Sequence, residues 1–141
     1  MTPLILGFFR GSGTNVRQQT STTSAPGKGI SLTAQIQQCL DACYACATAC
    51  GACGTACVDA ARPELAKCAR LCLDTQQVIL TTTALMSRLS AVDAAACEFC
   101  AKVCEACATE CERHAAHHEH CRQCAEACRR CAAECARMAA V

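Results

Sequence analysis

Tryptophan is absent from this 141-residue chain, tyrosine occurs once and phenylalanine three times, so little aromatic surface is available to fill a core. Charge of one sign is also lacking. Lys and Arg number 13 against 12 Asp and Glu, and a net charge of +1 leaves no basic stripe of the kind a nucleic-acid binder needs. No apolar run approaches the roughly 18 residues of a membrane span. There is no strand pattern, no phosphate-cradling loop, no Ser-His-Asp set and no pair of carboxylates in register, so nothing points to an enzyme. What the chain has is cysteine: 18 of 141 residues, about 13%. That exceeds the roughly 8–10% that marks a cysteine scaffold.

Residues 1–30 differ from the rest. Glycines and the run Gln18-Gln19-Thr20-Ser21-Thr22-Thr23-Ser24 make them loop-like, and Arg10, Arg17 and Lys28 give +3 with no acid. They read as a flexible N-terminal extension that buries too little apolar surface to order itself. The opening stretch Met1 to Phe9 is apolar but has no basic residue before it and no small-residue cleavage site after it. A cytoplasmic location is therefore expected over a secreted one.

Residues 31–141 form the second unit, alanine-rich and helical throughout. Four segments emerge, at roughly 32–58, 63–88, 91–113 and 117–139. Pro63 suits the first position of the second. Ser90-Ala91-Val92-Asp93 resembles a capping box at the start of the third. Short connections make sequential helices antiparallel neighbours. The expected fold is all-α, an up-down-up-down four-helix bundle.

The cysteines follow one rule. Cys39, Cys43, Cys46, Cys50, Cys53 and Cys57 step by 4, 3, 4, 3, 4. Cys97, Cys100, Cys104, Cys107 and Cys111 step by 3, 4, 3, 4, as do Cys121, Cys124, Cys128, Cys131 and Cys135. The second segment carries only Cys68 and Cys72, then continues the register as Thr75, Ile79, Thr82, Met86 and Leu89. This is the spacing of a bundle seam, so the cysteine faces of all four helices meet in the core. Antiparallel packing groups Cys57, Cys68, Cys111 and Cys121 at one end, then Cys53, Cys72, Cys107 and Cys124. Leu32, Ile36, Met86, Leu89 and Met138 close the far end. The expected interior is a thiol-filled tube with a polar mouth and a greasy base.

Disulfides fit this poorly, because neighbours on one helix face have near-parallel Cα–Cβ vectors. Plain packing fits poorly too, since Leu buries more area than Cys and the second segment uses Leu, Ile and Met when it needs them. Metal fits. Two metal–thiolate bonds of about 2.3 Å span about 4.6 Å, within reach of i, i+4 pairs such as Cys39/Cys43 and Cys131/Cys135. Eight such pairs leave Cys97 and Cys121 to bridge. All-thiolate, low-coordinate sites select soft ions, Cu(I) first. Charge agrees: 18 thiolates are neutralised by about one Cu(I) per sulfur, whereas about four Zn(II) ions in four-thiolate sites leave about −10 buried. A zinc or cadmium buffer of metallothionein type is the alternative. Thiol redox pairs normally accompany a βαβ pattern, and iron–sulfur runs close with Cys-Pro; neither occurs here.

The stretches Cys39-Leu-Asp-Ala-Cys43-Tyr-Ala-Cys46-Ala-Thr-Ala-Cys50 and His117-His118-Glu119-His120-Cys121-Arg-Gln-Cys124-Ala-Glu-Ala-Cys128-Arg-Arg-Cys131 resemble the bacterial copper storage proteins, in particular their cytosolic branch. The resemblance covers about 32–138. It implies a bundle holding many Cu(I) ions on core cysteines, a homotetramer, and copper uptake at the histidine-bearing mouth. Residues 1–30 depart from that pattern.

His114, His117 and His118 flank Cys111 and Cys121 at spacings that let them face the mouth, and imidazole suits copper. His120 is expected to point outward, and Met86 and Met138 to pack in the core. Thr75 and Thr82 are expected to be buried with their hydroxyls bonded one turn back. Arg129, Arg130, Arg137, Glu126 and Glu134 are expected to pair along the last helix. Between Ala34 and Val58 the only charge is Asp41, with Gly51 and Gly54 expected outward; such bare faces suggest an oligomer interface.

Overall fold

The computed structural model describes residues 30–141; the expectations for the N-terminal extension and for Met1 to Phe9 lie outside the described residues. Ser31 starts the first helix, its hydroxyl accepting from the Ala34 amide at 3.3 Å. Helix α1 (Leu32–Asp59) is followed by α2 (Ala66–Ser87), α3 (Asp93–Glu112) and α4 (Glu119–Ala139), with no strand among the described residues. A short 3-10 turn at Pro63–Leu65 leads into α2, so the segment expected from 63 enters the α-helix only at Ala66. The capping box is not formed. The Ser90 hydroxyl accepts from the Val92 amide at 3.4 Å, Val92 is the N-cap, and α3 begins at Asp93.

Each helix packs on two neighbours. α1 lies against α2 and α4, and α3 against α2 and α4, which closes a ring of four. The pairings run antiparallel: along α1, Cys43, Cys46 and Cys53 meet Cys135, Cys128 and Cys121 in descending order on α4. The core inside the ring is made of sulfur and small alkyl groups. All eighteen cysteines are buried, with Ala47, Ala101, Ala108, Ala125 and Ala132 filling the seams between helices.

Where α2 ends, Ser90 donates to the Leu85 carbonyl and Leu89 to that of Met86, both at 3.1 Å. This is a Schellman closure, which needs a left-handed residue at its centre. Leu89 takes that position with φ 51°. The turn swings it out of the seam to 70% exposure, so it does not close the greasy end as the register suggested. Leu32, at the first residue of α1, is likewise 52% exposed, while Ile36 and Met138 pack against the core as expected.

The glycines of α1 do not face outward. A Cβ on Gly51 would stand 2.5 Å from Nε2 of Gln76, and one on Gly54 would press on Leu73. Their absence of a side chain lets α2 come close enough for Gln76 to donate to the Ala47 carbonyl at 2.9 Å. Arg129 also departs from expectation. It reaches across to α3 and forks onto Glu112 at 2.9 and 3.0 Å, while Arg137 does pair with Glu134 along α4.

Candidate metal-storage core

The 3-4 repeat turns every cysteine of each helix inward, and the ring of helices brings the four rows together. All eighteen thiols are free. Neighbouring sulfurs lie at 3.5 Å (Cys46–Cys128, Cys68–Cys111) to 4.0 Å (Cys100–Cys104, Cys124–Cys128). A disulfide needs about 2.05 Å. The contacts are instead weak thiol–thiol hydrogen bonds, and most run between helices, as Cys43–Cys135 and Cys72–Cys107 do, rather than along one. The core is therefore a three-dimensional sulfur network rather than a stack of i, i+4 clasps.

Its layers are staggered relative to the flat quartets read from the register. One group of mutually close sulfurs is Cys53, Cys57, Cys68 and Cys121, and the next is Cys53, Cys68, Cys72 and Cys111. Then come Cys72, Cys107, Cys111 and Cys124, followed by Cys50, Cys107, Cys124 and Cys128. Towards the far end, Cys43, Cys100, Cys131 and Cys135 meet. Successive groups share members, because antiparallel helices offset their side chains by part of a turn. Shared sulfurs are what bridging thiolates require. Three metal–thiolate bonds of about 2.3 Å in a plane set their sulfurs about 4.0 Å apart, so this network accepts trigonal ions with little movement.

Burial pushes the thiols up, and neighbouring sulfurs add to it or oppose it. Cys57 and Cys121 are pushed well above the ordinary range, first by burial and then by neighbouring sulfurs. Cys68, next to them, is held down to about 7 by the thiol of Cys111. At the opposite end, hydrogen bonding with Cys135 pulls Cys97 down, but Cys39 and burial outweigh it and the thiol is pushed up to about 12.

The histidines divide their work differently from the sequence reading. His120, expected outward, turns in: its Nδ1 lies 3.4 Å from Cys53 Sγ, 3.5 Å from Cys121 Sγ and 4.0 Å from Cys57 Sγ. It sits in the first turn of α4, which enters the bundle beside the end of α1, and that approach rotates residue 120 towards the core. The His118 ring stands against it, centroids 5.3 Å apart. His117 is exposed. His114, His117 and His118 share a surface recess with Arg62, Glu64 and Arg113. His114 does not touch sulfur; its Nε2 is 3.1 Å from Oε1 of Glu110.

Glu110 was not singled out from the sequence. It is 4% exposed and also meets Lys67 at 3.1 Å and Arg113 at 3.4 Å. Burial works against its charge, but the bonds from His114 and Lys67 prevail and hold the carboxyl below its ordinary range. The available signal was a Glu four residues before a His and adjacent to a seam cysteine. Thr82 behaves as expected, donating to the Val78 carbonyl at 2.9 Å. Thr75 does not: its buried hydroxyl has no partner.

No curated protein matches the chain. Solved structures do. A cytosolic copper storage protein from Streptomyces lividans carrying five coppers is 42% identical over 77% of this chain and 94% of its own, with a TM-score of 0.72. The Streptomyces lividans copper storage protein loaded with 10 copper equivalents is 40% identical over 83% of this chain and 93% of its own, with a TM-score of 0.73. Apo copper storage protein 3 from Bacillus subtilis is 37% identical over 73% of this chain and 97% of its own, with a TM-score of 0.67. The family model for copper storage proteins matches residues 32–140, the whole cysteine-faced bundle, and the chain belongs to the copper storage protein family.

Proposed function

We propose that this chain is a cytosolic Cu(I) store, binding many ions on its core thiolates for copper detoxification and supply. One observation carries the reading: eighteen free, buried thiols form a continuous network at copper-bridging distances, walled by four helices. Metal binding displaces the protons that the buried thiols carry. Each Cu(I) that binds neutralises one thiolate, so capacity follows the cysteine count, on the order of one ion per sulfur. The relatives carry multiple coppers by their own descriptions, and the zinc or cadmium alternative gains no support from them.

The ligands are the eighteen cysteines, with His120 added to His114, His117 and His118 at the mouth. Ions enter there, pass to Cys53, Cys57 and Cys121, and move down the network by ligand exchange. The chain works as a store with no catalytic step. Its sparsely charged outer faces on α1 and α2, which expose Tyr44 and Leu80, support assembly into a homo-oligomer, a tetramer by family resemblance.

Anaerobic titration of the reduced protein with Cu(I) against a chromogenic chelator tests the reading. Competition persisting well past ten ions per chain is expected; saturation at one or two would overturn storage.

A further inference from the structure

Helix α2 supplies two cysteines, Cys68 and Cys72, both in the half of the core nearer the histidines. Beyond them its buried face runs Thr75, Ile79, Thr82 and Met86. Hydroxyl and alkyl groups therefore wall one side of the remaining core. At the end sulfur returns. Met86 is 2% exposed, and Cys39 donates its S–H to the Met86 Sδ at 3.9 Å. The same Cys39 Sγ lies 3.8 Å from Cys135 Sγ, and Cys97, buried near the start of α3, is a neighbour of both. Four helices thus each bring one sulfur to this end: Cys39, Met86, Cys97 and Cys135.

Building on the storage reading, we propose that Met86 is a copper ligand: with Cys39 and Cys135 it holds a Cu(I) ion at the end of the core remote from the histidines, its thioether supplying the third donor. Thioether sulfur is soft and suits Cu(I) as thiolate does. It also differs in a way that matters at this position. Thiolates inside the network share ions with layers on both sides, whereas the terminal thiolates of Cys39, Cys97 and Cys135 have a layer on one side only. A further thiolate would add buried negative charge with no additional ion to neutralise it. A thioether completes the coordination without charge. On loading, Cys39 and Cys135 each release the proton of the S–H to solvent, Met86 releases nothing, and copper stays Cu(I).

The test is selenium-edge X-ray absorption on the full chain labelled with selenomethionine and loaded anaerobically with Cu(I). Met86 is one of three methionines, so about one selenium in three should show a copper neighbour near the thiolate bond length of about 2.3 Å. Met86→Leu, a swap of similar volume that cores tolerate, should lose that neighbour entirely and still load well over ten ions. A chain that takes up more than ten coppers yet shows no copper at selenium overturns the Met86 site alone. So does a copper neighbour undiminished in the Leu variant, which would point to Met138 or Met1. Uptake of only one or two ions overturns the storage reading and this site with it, and the copper count separates the two failures.

Discussion

Nε2 of His114 lies 3.1 Å from Oε1 of Glu110, and that carboxylate is 4% exposed. The pair ties the end of α3 to the histidine-bearing connection. Lys67 brings in α2, and Arg113 completes the cluster.

Removing that carboxylate strands the donors around it. Glu110→Ala should destabilise the apoprotein by about 1–3 kcal/mol, and Glu110→Gln by less. The sign of the pH dependence follows from a carboxyl held below its ordinary range. Its contribution is complete above the unfolded value of about 4.3 and is lost as pH falls through the lower folded value. Urea unfolding of the wild type and Glu110→Gln should differ at pH 7 and converge in strong acid.

Leu89 holds a left-handed conformation while 70% exposed, so it takes on backbone strain and buries little in return. Glycine relieves the strain and keeps both closing hydrogen bonds. Leu89→Gly should raise stability by about 1 kcal/mol, read as a higher urea midpoint with unchanged slope.

Thr75 buries a hydroxyl with no partner. Thr75→Val keeps the shape and removes the desolvated group. The apoprotein should gain about 1–2 kcal/mol in the same unfolding measurement. A loss instead would show that the hydroxyl is satisfied in solution.

Cys57 and Cys121 are raised above the ordinary thiol range, mainly by burial. The folded chain therefore keeps protons that the unfolded chain gives up above about pH 8.5. Stability from these groups is present below that value and declines as pH rises through it. The apoprotein's urea midpoint should fall between pH 8 and pH 10. The copper-loaded protein, whose thiols have already lost their protons, should lack that fall.

His120 touches three thiols at the mouth. His120→Ala should slow the first phase of Cu(I) loading in stopped-flow measurements and reduce final capacity by about one ion at most, since imidazole suits copper and the thiolate network remains. An unchanged first phase would assign the mouth to His114, His117 and His118.

Which residues form helices, and which face of each is buried, was legible in the chain, because a 3-4 repeat is a local property of 3.6-residue geometry. The softness of the ligand set and its charge were legible for the same reason: they depend on residue types and counts. What followed from how the helices meet was not. The stagger that makes sulfurs shared, the inward turn of His120, the capture of His114 by Glu110 and the missing partner of Thr75 each depend on the offset between antiparallel neighbours. Leu89 kept its place in the register and left the core because the helix ends at Ser87 and the left-handed turn at Leu89 itself redirects the chain. The sequence by itself determined four helices and a thiol-lined interior suited to soft metal ions. Only the tertiary structure decided which sulfurs touch and which histidine reaches them, since a fraction of a helical turn redirects a side chain by several ångströms without altering a single periodic signal.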